Sequence, residues 1–102
     1  MPIRFSGLLE SLPDGSLLSL TGDVEVTAAP VERTDQVQPG AVFIARTGRV
    51  FDGRTLAADA VARGAVAIVG DADHIDVGVP YARVDNAQQA IGHLAAFWWG
   101  LP

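Results

Sequence analysis

The residues of this chain best placed to do chemistry stand in one short segment, Gly48-Arg-Val-Phe-Asp-Gly-Arg-Thr55. The two glycines have the G-x-x-x-x-G spacing of a phosphate-cradling loop, and Arg54-Thr55 follow where such a loop carries Lys-Ser or Lys-Thr. An apolar run, "AVFIA", precedes the segment and a helical pattern, "TLAADAVARG", follows it. Two features oppose a triphosphate site. The chain has no Lys at all, and a planar guanidinium does not substitute freely for a compact ammonium. Asp52 also places a carboxylate among amides that would have to face phosphate oxygens unopposed. A plainer reading is that Asp52-Gly53 is a turn that starts a helix.

The remaining polar residues form no catalytic set. His74 lies in an acidic stretch, "DADHID", flanked by Asp71, Asp73 and Asp76, but the Gly turn and terminal Glu of a calcium loop are missing. That stretch reads as a solvated loop. His93 has no carboxylate at a metal-binding spacing and falls on the outer side of a helix. No Ser–His–Asp grouping follows from the order of residues. The absence of Cys excludes a disulfide framework, thiolate catalysis and a zinc cage. The net charge of −5 has no basic stripe to offset it, which argues against nucleic acid as a partner. No apolar run has bilayer length and no secretory leader is evident, so a cytoplasmic protein without membrane partners is expected.

The elements that position these residues alternate. "FSGLLESLP" reads as a short helix capped by Ser6 and stopped by Pro13, with Leu8, Leu9 and Leu12 on one face. "SLLSL" is a strand or a loose apolar segment. "VEVTAAPV" alternates and is rich in β-branched residues, predicting a strand that Pro30 confines to an edge. "AVFIART" (41–47) and "AVAIVG" (65–70) are short continuous apolar runs, predicting strands buried on both faces. Between them "RTLAADAVARG" predicts a helix with Leu56, Ala57, Ala60 and Val61 inward, an Asp59–Arg63 pair and a stop at Gly64. "YARV" predicts a further strand. "DNAQQAIGHLAAFWWG" predicts a helix opened by Asp85 with Gln88 at capping-box spacing, burying Ala87, Ala90, Ile91, Leu94, Ala95 and Trp98. The aromatic run Phe97-Trp98-Trp99 places at least one large ring near the surface, where a helix end or a contact with a further domain would use it. The sum is an α/β domain: a small three-layer unit with a mixed, mostly parallel sheet of about four to five strands and helices on both faces.

"VQPGAVFIARTGRVFDGRTLAADAVARGAVAIVG" followed by "VPYARVDNAQQAIGHLAAFWWGLP" resembles the N-terminal domain of Mur ligases, in the branch that adds the third residue of the peptidoglycan stem peptide. The family pattern runs D-S-R-x-V-x-P-G-x-x-F-x-A-x-x-G, three variable residues, D-G, a helix, then G-A-x-A-x-V. Val37, Pro39, Gly40, Phe43, Ala45, Gly48, Asp52, Gly53, Gly64, Ala65, Ala67 and Val69 match it in order and spacing. The resemblance implies that residues 1–102 form one domain binding the UDP part of UDP-N-acetylmuramoyl-dipeptide. It implies that the ATP-binding central domain, with its G-T-N-G-K-T loop, and the C-terminal domain lie outside this chain. ATP and Mg²⁺ would serve that longer ligase, with no cofactor, metal or catalytic residue here; the partners would be the UDP-linked muropeptide precursor and the central domain. Carried over position by position, the uridine contacts fall on Glu32 and Thr34, and the three variable loop residues on Arg49, Val50 and Phe51. One departure is plain: D-S-R reads Arg33-Thr34-Asp35, with both charges reversed. That departure raises a second expectation, a Mur-like interaction module that keeps the fold without binding a nucleotide.

Overall fold

In the computed structural model, residues 3–45, 53–72 and 75–100 are described. Two apolar runs and one mixed run set the architecture: β4 (Val42–Ala45), β5 (Ala67–Gly70) and β6 (Tyr81–Val84, which carries Arg83) lie side by side as parallel strands. Every residue of β4 and β5 is buried, as a strand covered on both faces requires. On the far side of β6 runs β2 (Leu17–Leu20), antiparallel, with Leu17 opposite Val84 and Leu20 opposite Ala82. The sheet order is therefore β2-β6-β5-β4. A second, two-stranded antiparallel sheet joins β1 (Ile3–Arg4) to β3 (Glu25–Val26).

Helices cover both faces, as the alternating pattern predicts. The helix α2 (Gly53–Ala62) links β4 to β5 and packs Ala57 and Ala60 against Phe43, Ile68 and Tyr81. Its Asp59–Arg63 pair forms at 3.3 Å. The opposite face receives α1 (Phe5–Leu9) and α3 (Ala87–Trp99), whose Leu8, Leu9, Leu94 and Ala90 meet Val42, Ile44, Val69 and Val84. Each fully buried Leu, Ile, Val or Phe stabilises the fold by roughly 1.5–3 kcal/mol relative to exposure, so these two layers are the main source of stability.

Three local expectations are corrected. Ser6 does not cap α1: the N-cap is Arg4, with no side-chain cap, and Ser6 sits within the helix. Ser6 donates instead through its backbone N–H (3.0 Å) and hydroxyl (2.8 Å) to Asp23, tying α1 to the chain before β3. Those bonds, the backbone one foremost, hold the Asp23 carboxyl down at about 2. The long strand expected over residues 24–31 is broken. Only Glu25–Val26 is strand, and Val31 forms an isolated parallel bridge to Phe43 on the outer edge of β4. The amides of Thr27 and Ala28 turn to a single acceptor, the Gly40 carbonyl, and so leave the ladder. Pro30 sits just before the edge bridge, where a missing N–H costs least. Finally, α3 begins one residue later than Asp85 suggests. Asn86 is the N-cap, and its side-chain oxygen accepts from the Gln89 amide at 3.0 Å.

Candidate functional site

The bridge at Val31 decides where the candidate residues go. The Val31 amide donates to the Val42 carbonyl (2.9 Å) and the Val31 carbonyl accepts from the Ile44 amide (2.8 Å). Because this pairing is parallel, residues 32–34 advance in the same direction as β4, toward its carboxyl end. There the chain leaves Ala45, and there α2 starts at Gly53. Residues Thr34–Gln36 form a single 3₁₀ turn that lies against α2. Thr34 is half-buried in this position and Glu32 is exposed. Arg49, Val50 and Phe51 lie outside the described residues, as do Gly48, Asp52 and His74.

The ends of the parallel strands make a floor beside this turn. Ala45, Gly70 and Arg83 stand in register across β4, β5 and β6. A methyl group on Gly70 would come within 2.8 Å of the Ala45 carbonyl oxygen and 3.0 Å of the Tyr81 hydroxyl. Glycine here lets the Tyr81 ring cross the end of β5, and the Tyr81 hydroxyl donates to the Ala72 carbonyl at 2.6 Å. Arg83, two residues after Tyr81, brings a guanidinium to the same face at the carboxyl end of β6. In open α/β sheets, ligands bind outside the carboxyl ends of the parallel strands.

Charge at the turn is locally balanced. Arg33 donates to Asp35 at 2.9 Å, and both side chains are largely exposed. The reversed charges of Arg33-Thr34-Asp35 thus answer one another across the threonine. An exposed pair of this kind adds little to stability, about 0–1 kcal/mol.

The residues just after the turn do a different job. Val37 packs into the α2-side core, and Pro39-Gly40 returns the chain to β4. Gly40 has φ of 92° and donates to the Gly64 carbonyl at 2.9 Å. Gly64 has φ of 116°, and a Cβ there would lie 2.8 Å from Pro39 Cα. Two glycines with left-handed backbone therefore clamp the return of the turn beneath the end of α2.

A groove of about 660 Å³ opens between Ala28–Val31 and Asp35–Gln38, with Trp99 at its wall. Asp35 and Gln36 of the 3₁₀ turn line it, and Thr34 does not. Sequence patterns single out Trp99 but not the small apolar residues and amides that complete this groove, because such residues carry no spacing signal. Among the described residues no group of three or more His, Asp or Glu could hold a metal ion. No helix of the described residues is long and apolar enough to cross a membrane.

Comparison with known proteins adds a family to this geometry. The family model described as "Mur ligase family, catalytic domain" matches residues 33–99. The UDP-N-acetylmuramoyl-L-alanyl-D-glutamate–2,6-diaminopimelate ligase of Brucella melitensis is 40% identical over 102 residues, covering 98% of this chain and 20% of that protein. The ligase of the same description from Lactiplantibacillus plantarum is 40% identical over 84 residues, covering 82% of this chain and 17% of that protein. The UDP-N-acetylmuramyl-tripeptide synthetase of Deinococcus radiodurans is 40% identical over 82 residues, covering 78% of this chain and 16% of that protein. The chain therefore spans at most about a fifth of the length of these relatives. Among solved structures, MurF from Acinetobacter baumannii shares the fold with a TM-score of 0.66 at 20% identity, over 95% of this chain and 21% of that one.

Proposed function

The chain belongs to the Mur ligase family, and from that premise we propose that it binds the UDP part of UDP-N-acetylmuramoyl-dipeptide as the N-terminal domain of an ATP-dependent amino-acid ligase of peptidoglycan synthesis. The observation that carries this reading is the parallel bridge of Val31 to Phe43. It runs Glu32 and Thr34 alongside β4 toward Ala45, the last described residue before the segment that carries Arg49, Val50 and Phe51, and this supports reading the two segments as one site. The Thr34 hydroxyl is the group for the uridine portion, with Glu32 beside it. Arg49 and the backbone amides near it are the groups for the diphosphate, which they meet by charge-assisted hydrogen bonds. Val50 and Phe51 supply apolar cover. The bond-forming chemistry belongs to polypeptide outside residues 1–102. There ATP would phosphorylate the substrate's terminal carboxylate and leave as ADP, Mg²⁺ would supply charge neutralisation for that transfer, and the incoming amine would displace phosphate to form the amide. Holding the remote UDP end positions the reacting end, which is the domain's contribution to rate. On this reading the whole enzyme works in the cytoplasm.

Calorimetric titration of the 102-residue chain with UDP-N-acetylmuramoyl-dipeptide tests this. Saturable heat is expected, with affinity falling about tenfold in Thr34→Ala and in Arg49→Ala, each having lost hydrogen bonding worth about 1.4 kcal/mol. ATP is expected to give no heat. ATP binding that disappears in Arg54→Ala would instead revive the triphosphate loop. The Arg33–Asp35 pair favours one other reading: with its guanidinium already engaged at 2.9 Å, the turn serves an interaction module without nucleotide binding. Absence of heat with the precursor, together with unchanged chemical shifts at Thr34, is the result that selects it.

A further inference from the structure

Trp99 is 75% exposed, while Phe97 and Trp98 beside it are half-buried against the core that α3 shares with β4 and β5. Its ring instead walls the groove between Ala28–Val31 and Asp35–Gln38. Exposing so large a ring beside a concave surface of mixed apolar and polar lining forgoes stabilisation that burial would supply. The groove has the anatomy of a protein interface. Its floor of Ala28, Ala29, Pro30 and Val31 is apolar, and Gln36 and Gln38 set amides on its rim. Asp35 on that rim already meets Arg33, so the occupant has no need of a cation. Thr34 is not among the residues that line it, although its neighbours Asp35 and Gln36 are.

We infer that this groove, with Trp99 as its anchor, is the seat of the polypeptide that follows this domain in a protein of its relatives' length. Two observations select that occupant. The relatives extend to five to six times the length matched here, since the match covers 17% of one and 20% of the other. The groove's wall is the last turn of α3, so a continuing chain leaves Gly100 at the groove's mouth and reaches it within a few residues, at about 3.5 Å each. A tethered partner binds at the high effective concentration that a short linker provides. Its contacting face is apolar, with main-chain or amide groups to pair Gln36 and Gln38.

The test compares the 102-residue chain with the full-length protein by amide hydrogen exchange at Ala29 and Gln38. Exchange there slows at least tenfold in the full-length protein. Trp99→Ala, which empties the wall, and Ala29→Arg, which fills the groove, each restore the faster rate. Neither variant moves the melting temperature of the 102-residue chain by more than about 2 °C, because both positions lie outside its core. Equal exchange in the two proteins overturns the inference, as does a reading frame that closes at residue 102. Protection that grows with concentration of the 102-residue chain would assign the groove to a second copy. Protection of that chain by UDP would assign it to the nucleotide. Either result replaces the inference.

Discussion

Residues 33–36 and residues 37–40 belong to one turn and differ in almost every physical respect. The second half is a clamp: half-buried Val37 packs against the core, and Gly40 and Gly64 hold left-handed backbone where a Cβ would meet Thr27 and Pro39. The first half is a surface: Arg33, Asp35 and Gln36 are exposed, and the Arg33–Asp35 pair costs the fold nothing to keep or to lose. The family pattern survives in the clamp as V-x-P-G and is rewritten in the surface, where D-S-R becomes Arg33-Thr34-Asp35. The residues by which the family is recognised thus report how the backbone is locked.

Substitutions in the two halves sharpen that contrast. Gly64→Ala has the largest expected effect. It combines a disfavoured φ with a backbone clash that no side chain can relieve, for about 2–3 kcal/mol. A domain of this size should lose roughly 10–20 °C in melting temperature, measured by circular dichroism. Gly15→Ala is the matched control: φ is 84° but a Cβ meets nothing within 4 Å, so about 1 kcal/mol is expected from backbone strain alone. Equal losses at the two positions would show that contact with Pro39 contributes nothing.

In the surface half the readout moves from stability to binding. Thr34→Ala should change unfolding free energy by less than about 0.5 kcal/mol while weakening the UDP precursor about tenfold. A large stability loss would make Thr34 part of the clamp. Asp35→Asn removes a negative charge and releases Arg33, so affinity for the anionic precursor should rise roughly two- to fivefold at low salt and the gain should shrink as salt screens it. No change at any ionic strength would place the ligand away from this turn.

Asp23 is the remote control, and at neutral pH its effect on binding should be nil. Its folded pKa of about 2 lies below the ordinary value of 3.8, lowered chiefly by the Ser6 backbone and hydroxyl bonds. A depressed carboxylate contributes stability that is present above the unfolded value and is lost as pH falls through the folded one. Denaturant midpoints of the wild type and Asp23→Asn should therefore differ above pH 4 and converge toward pH 2. A difference that persists unchanged to pH 2 would remove the carboxylate's charge from the explanation.

The amino-acid sequence alone determined the buried strands β4 and β5, the presence of β6, the centre of the inward faces of α2 and α3 and the family, because each rests on a local signal. Continuous apolar runs, 3.6-residue periodicity and glycines at fixed intervals are all readable within a dozen residues. It misplaced Ser6 as a cap, Asp85 as the opening of α3 and residues 24–31 as one strand. In each case the deciding partner was distant or equally good: Asp23 claims Ser6 from seventeen residues away, Asn86 competes with Asp85, and Gly40 takes the amides of Thr27 and Ala28. Only the tertiary structure brought Val31 beside Phe43 in parallel, and so turned Glu32 and Thr34 toward the end of β4. Only it set Trp99 against Ala28–Val31, some seventy residues earlier in the chain. Such pairings depend on which sheet edge remains open once the core has closed, and no short stretch of sequence encodes that.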